Sequence, residues 1–332
     1  MVEKLRTAVI GLGSMGKNHV RVLSEIRESE LVAVSDCDKK KLAEIEKKYK
    51  LKGYANYKEM LEKEDLDMVS VVVPTSLHSK VAVDVMNKKI NCLVEKPIAD
   101  TIENAKKIIK AAEENDVKLT VGHIERFNPA VLEAKKRILA NELGNILEIT
   151  AVRVGPFAPR IRDVGVIKDL TIHDVDTVRF LVEEDFEEVF GIAIPKINTK
   201  KEDLFFGIVK LRNNVIVLFH TNWITPTKIR ELRIIGEYGM FKINFLTQDL
   251  FFYENAYFNE RIREKILKDV IEGKMIKYKI NKTEPLKSEI VHFLRAIKFN
   301  QEPMVSGKIG LENLKIISKF LESVKKWERV KI

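Results

Sequence analysis

LRTAVIGLGSMG, residues 5–16, decides the fold. Leu5–Ile10 is a short apolar run of strand type, and Gly11, Gly13 and Gly16 follow it as G-x-G-x-x-G. A helix pattern then runs from Ser14 to about Glu28. Strand, glycine turn and helix in that order form a dinucleotide-binding fingerprint. The first glycine permits the tight turn, the second lets backbone approach a pyrophosphate, and the third lets the helix pack close to the strand. Amides at the helix start, with Ser14 and Met15, face the phosphates.

A second strand, LVAVSD, ends in Asp36, twenty residues after Gly16. An acid there hydrogen-bonds the adenosine ribose and repels a 2′-phosphate. Cys37 and Asp38 bring no arginine to bind such a phosphate, so the pattern expects NAD rather than NADP. Alternation continues with helices at 39–49 and 57–62 and a β-branched strand at 67–73. Thr75 or Ser76 is placed to cap a helix to about Asn87. A strand at 91–95, a helix at 101–115 and a strand at 117–122 follow. Five strands are placed here, and with helical crossovers the pattern is that of a doubly wound Rossmann sheet of six parallel strands, complete by about Gly122. Ligands of such sheets sit beyond the strands' carboxyl ends, which puts Pro74, Thr75, His78, Glu95, Lys96, Pro97, Gly122 and His123 at the cleft. A lysine there can hold a substrate oxygen, although a surface position is the common fate of Lys. Pro97 can be cis, which sequence does not decide.

From about His123 the pattern changes. A helix is expected at 128–141 with Pro129 at its start, then strands at 146–154, 188–194, 204–211, 215–223, 229–235, 240–245 and 250–253. Consecutive strands with short turns indicate a mostly antiparallel sheet. The expected fold class is thus α/β for residues 1–122 and α+β for 123–332, a large open sheet with helices on one face. The other face, rich in Phe, Ile and Val, would need cover, which suggests subunit association. Helices are expected at 259–271, 285–299 and 310–324.

Inside this second domain, GVIKDLTIHDVD at 165–176 looks like an apolar helix carrying a polar stripe. Asp169, His173 and Asp176 stand at i, i+4 and i+7, one face at ~100° per residue. Alone, the stripe fits a solvated helix face as well as a site. Arg160 and Arg162, in the loop before it, can hold an anionic group or stand in solvent, and Arg126 and Asn128 can line the same pocket. Arg126 fits a structural ion pair equally well. His19 and His220 read as structural. A metal at Asp169, His173 and Asp176 is disfavoured, since no other ligand cluster supports one.

The 332 residues suffice for two domains. The net charge of +9 is spread as lysine pairs beside glutamates, a solvated surface rather than a nucleic-acid patch. Two distant cysteines fit a reducing cytoplasm, and no signal peptide or membrane-spanning run is read.

GLGSMG, Asp36, PTSLH, EKPIA, the D-x-x-x-H of 169–173, EPLKSEIVHFLRAI and VSGKIGLENLKIISKFLES together resemble the glucose–fructose oxidoreductase, inositol dehydrogenase and MocA family along essentially the whole chain. The resemblance implies NAD-dependent hydride transfer at a sugar carbon. It implies Lys96 beside the nicotinamide, His173 as the acid–base residue, Asp169 as its partner, and Thr75 and His78 at the nicotinamide ribose. It also implies a closing helix packed back on the first domain and a homodimer or homotetramer built through the second sheet. GHIERFNPA and VRVGPFAPRIRDVGVIKDLTIHDVD look like the branch that oxidises nucleotide sugars, so the expected reaction is oxidation at C3 of UDP-N-acetylglucosamine. A dehydrogenase of a free sugar or inositol, and a dinucleotide-binding sensor, are the competing readings. A sensor has no need of Lys96, Asp169 and His173 together.

Overall fold

The computed structural model describes residues 4–157, 164–197, 201–256 and 272–332. Arg160, Arg162 and the expected helix at 259–271 lie outside these. The chain forms two compact units, one of residues up to Ile124 with Glu284–Leu314, the other of Glu125–Thr283 with Lys315–Ile332.

The first unit is a six-stranded sheet: β1 (Leu5–Ile10), β2 (Ser29–Ser35), β3 (Lys52–Tyr54), β4 (Met68–Val71), β5 (Asn91–Glu95) and β6 (Leu119–Gly122), in the order β3-β2-β1-β4-β5-β6. Every pairing is parallel. The short edge strand β3 has no apolar run of its own, so the sequence did not mark it. The central strands are apolar on both faces, as burial beneath two helical layers requires. The crossover helices are α1 (Ser14–Glu25), α2 (Lys39–Tyr49), α3 (Tyr57–Lys63), α4 (His78–Met86) and α5 (Ile102–Asn115). Their ends follow local chemistry. The Asp38 side chain accepts from the Lys40 and Lys41 amides at the start of α2, and Thr101 accepts from the Asn104 amide at the start of α5. One expectation fails here: neither Thr75 nor Ser76 caps α4, because Thr75–Leu77 forms its own 3-10 turn.

The sequence division at residue 122 left 285–299 with the second domain. In the structure that helix (Pro285–Lys298) belongs to the first unit. Its apolar stripe of Leu286, Ile290, Phe293 and Leu294 joins the core around Val20, Leu23 and Ile26. The chain just after it closes on β6, where Thr120 Oγ1 donates to the Val305 carbonyl at 2.9 Å.

The second unit begins with α6 (Pro129–Leu139), capped by Asn128, and β7 (Ile146–Pro156). A π-helical turn (Ile167–Thr171) runs directly into α7 (Ile172–Val182). Strands β8 (Phe186–Ile194), β9 (Leu204–Leu211), β10 (Ile216–Asn222), β11 (Ile224–Gly236), β12 (Gly239–Asn244), β13 (Asp249–Glu254), β14 (Met275–Lys277) and β15 (Val330–Lys331) complete a nine-stranded sheet. The order is β14-β13-β12-β11-β7-β10-β9-β8-β15, with β7 and β10 parallel and the rest antiparallel. One face of this sheet packs its core residues, Ile149, Phe205, Val217, Phe219 and Phe241 among them, with Val175 and Val178 of α7. The alternate residues Phe206, Ile208, Ile216 and Leu218 are exposed in the single chain.

Candidate active site

In the first unit the site residues gather at the carboxyl edge of the parallel sheet. Gly11 has φ +98°, and a Cβ there would meet the Val72 carbonyl oxygen at 2.5 Å. A Cβ on Gly16 would lie 1.9 Å from the Gly11 oxygen. Both positions therefore exclude any side chain. Gly13 differs, since nothing lies within 4 Å of where its Cβ would project. It is also the N-cap of α1, with no side chain bonded to the first-turn amides. The Ser14, Met15 and Gly16 N–H groups thus have no intrahelical acceptor, and the space beside Gly13 is open, which fits a dinucleotide's pyrophosphate.

The Asp36 carboxylate braces this loop. It accepts from the Leu12 amide at 2.6 Å and from the Asp38 amide at 2.8 Å. Each oxygen retains capacity for a further donor such as a ribose hydroxyl. Pro74 is exposed and Thr75 half-buried at the end of β4. His78 is buried, its Nδ1 2.9 Å from the Pro97 carbonyl and its Nε2 2.9 Å from the Val73 carbonyl. Burial pulls the ring below its ordinary pKa against those two carbonyls. His78 thereby ties the end of β4 to the turn after β5, where the Lys96–Pro97 peptide is cis.

Glu95 is also buried. Its Oε1 lies 2.9 Å from Nε2 of the fully buried His19, and its Oε2 accepts the Lys96 amide at 3.1 Å. Burial would raise this carboxyl, but His19 and Lys96 together hold it below the usual carboxylate range. The buried pair fixes the backbone that carries Lys96, whose side chain is half-buried. His123 is buried as well, with Nε2 3.3 Å from Asn313 Nδ2.

In the second unit the opening of the polar helix departs from simple α periodicity. Asp169 lies in the π-helical turn and His173 in the first turn of α7, both half-buried. The expected face at 100° per residue therefore does not hold through residue 171, because i→i+5 bonding inserts a residue into the turn. Such insertions recur at functional sites. Asp176, the third member of the expected stripe, is buried and receives Arg126 Nε at 2.8 Å and Nη2 at 2.7 Å. The structure thus gives Arg126 the ion-pair partner that the sequence left open. Asn128 is buried too. Its Oδ1 accepts the Ala130 amide at 3.1 Å, and its Nδ2 donates to the Phe245 carbonyl at 3.1 Å.

A second buried ionic group was missed. Arg153 of β7 donates from Nε to Asp174 at 2.8 Å and from Nη1 to Glu125 at 2.9 Å. Burial raises the Asp174 carboxyl even against Arg153, while the two carboxylates more than offset burial to raise the guanidinium. The parity of β7 held the signal: Ile149, Ala151 and Arg153 share the buried face, and a charge at that parity demands a partner. Two arginine–aspartate pairs therefore anchor α7 by the residues on either side of Val175, and so fix the helix that bears His173.

Comparison with known proteins agrees with this anatomy. A family model described as an oxidoreductase family with an NAD-binding Rossmann fold matches residues 5–123, and the GFO/IDH/MocA C-terminal domain matches 131–242. The chain is 28% identical over 306 residues to UDP-N-acetylglucosamine 3-dehydrogenase of Acidithiobacillus ferrooxidans, covering 92% of this chain and 93% of that protein. It is 29% identical over 218 residues to myo-inositol 2-dehydrogenase of Thermotoga maritima, covering 63% and 65%. A solved structure of the Acidithiobacillus dehydrogenase superposes with a TM-score of 0.86 at 26% identity, covering 98% of both chains. A scyllo-inositol dehydrogenase of Lactobacillus casei, solved with NAD(H) and scyllo-inositol, shares the fold with a TM-score of 0.82 at 20% identity, over 99% of both chains.

Proposed function

The chain belongs to the GFO/IDH/MocA family of NAD-binding oxidoreductases, and from that premise we propose that it oxidises C3 of UDP-N-acetylglucosamine to the 3-keto sugar. One observation carries the choice of substrate. Similarity to the nucleotide-sugar dehydrogenase runs over 92% of the chain, whereas similarity to the inositol dehydrogenase of Thermotoga maritima stops at 63%.

Oxidising a secondary alcohol removes a hydride from carbon and a proton from oxygen. Bound NAD supplies the hydride acceptor. Gly11, Gly13, Ser14, Met15, Gly16 and Asp36 hold it, with Pro74, Thr75, His78, Glu95 and Lys96 shaping its nicotinamide end. An alcohol does not ionise unaided at neutral pH, so a base must take the proton as the hydride leaves. An imidazole has a suitable intrinsic basicity, and His173 fills this role. The Lys96 cation stabilises the developing alkoxide. Asp169 orients His173 or holds a neighbouring sugar hydroxyl. Arg160 and Arg162 grip the diphosphate through guanidinium forks. The exposed apolar face of the second sheet supports association with a second copy of the chain.

The test is incubation with NAD and UDP-N-acetylglucosamine, with an aminotransferase present to withdraw the ketone. Reduced nicotinamide, together with the 3-amino sugar that the coupled step makes from the 3-ketone, supports the reading. Turnover of inositol or a free sugar that is insensitive to Arg160→Ala would replace it with the polyol reading.

A further inference from the structure

Arg230 lies in β11 directly opposite Arg153 of β7. Directly opposed residues of an antiparallel pair project from the same face, and like charges so placed repel. The two arginines are not treated alike. Arg153 is bonded to Asp174 and Glu125. Arg230 is half-buried, and its side chain makes no hydrogen bond or ion pair among the described residues. Glu125, Asp174 and Asp169 act on it from beyond contact, while burial and Arg153 pull its pKa below the ordinary value. A guanidinium stays protonated regardless, so the second unit carries a partly desolvated cation with no counter-ion in contact among the described residues. Desolvation and a like-charged neighbour both cost stability, and no side-chain bond among the described residues offsets them.

We propose that Arg230 binds an oxyanion of the substrate, a phosphate or a carboxylate, and so selects charged sugars over neutral ones. The inference rests on the dehydrogenase reading for the identity of the ligand, not for the existence of the site. A guanidinium fork matches both groups bidentately. Asp169, which acts on Arg230 electrostatically, supplies the complementary preference: it repels an anion that Arg230 does not hold, and accepts from hydroxyls. The pair would thus orient a substrate with its oxyanion on one side and its hydroxyls on the other.

Calorimetry on the NAD-loaded protein tests this with UDP-N-acetylglucosamine, the corresponding UDP-linked uronic acid, N-acetylglucosamine and myo-inositol. Arg230→Met should weaken the charged ligands on the order of tenfold or more and leave the neutral ones within a factor of about two. Loss confined to the uronic acid assigns the ring carboxylate; equal loss for both UDP-sugars assigns the diphosphate. The melting temperature of Arg230→Met should equal or exceed that of the wild type, because removing an unpartnered charge relieves repulsion. Arg230→Lys, which keeps the charge without the fork, should fall between and serves if the methionine variant fails to fold. Unchanged affinity for both charged ligands overturns the proposal, as does equal loss for charged and neutral ligands, or a wild type that binds no charged ligand. Charged ligands that bind through Arg230 without turnover leave this inference standing and remove the dehydrogenase reading.

Discussion

Arg126 clamps Asp176 with two parallel hydrogen bonds of 2.7 and 2.8 Å, and both residues are nearly inaccessible to water. Breaking such a pair from one side strands a buried charge. Arg126→Met should therefore destabilise the protein by about 3–5 kcal/mol. Arg126→Met with Asp176→Leu should recover much of that loss, since both charges are then gone. Denaturant unfolding of the two singles and the double gives the coupling directly. Additive losses would mean the pair is not the structural tie described above.

The glycine loop separates fold from binding. Gly11→Ala puts a side chain at positive φ against the Val72 carbonyl and should cost about 1–3 kcal/mol of stability. Gly13→Ala meets no protein atom, so its melting temperature should match the wild type. Its methyl group would occupy the open space at the N-cap of α1, where the pyrophosphate is assigned, so NAD affinity should fall on the order of tenfold. Calorimetric NAD titration beside thermal melting distinguishes the two variants. Tight NAD binding by Gly13→Ala would contradict the assigned phosphate position.

Two buried groups, His78 and Glu95, contribute to the acid side of the stability profile. His78 is held below its ordinary pKa by burial, so the unfolded chain binds its proton first. Its contribution is complete above the ordinary histidine pKa and drains away as pH falls below it. Glu95 is depressed by His19 and Lys96 and acts with the same sign, losing its contribution as pH falls below the ordinary carboxylate value. Melting temperature should decline in two stages between neutral pH and strongly acid pH. Glu95→Gln should be less stable at neutral pH and lack the lower stage. A variant that keeps that stage would assign it to other carboxylates.

His173→Ala should lower turnover by about two to four orders of magnitude and leave NAD affinity nearly unchanged. Initial-rate kinetics and cofactor titration on the same preparation decide this. Equal loss in both would mean that His173 serves the cofactor rather than the proton.

The first unit was readable in sequence because its signals are local. Strand, glycine turn and acid lie within residues 5–36, and each glycine does a single steric job. What escaped was non-local. The three-residue β3 has no pattern of its own, and the helix at 285–298 returns to the first unit after a separation that no local rule spans. Lys96, Asp169 and His173 stood out in the sequence as residue types in a known order. The partners of Asp174 and Asp176 did not, because they come from Arg153 and Arg126 in other elements. The π-helical turn at 167–171 also went unseen, since no composition marks it.

The most direct test of the central claim uses UDP-N-acetylglucosamine carrying deuterium at C3, incubated with the protein and NAD under coupling that removes the ketone. The account predicts that the deuterium appears in the reduced cofactor and that Lys96→Met and His173→Ala suppress the transfer. Reduced cofactor without deuterium would move the reaction to another carbon, and no reduced cofactor from any UDP-sugar would contradict the account.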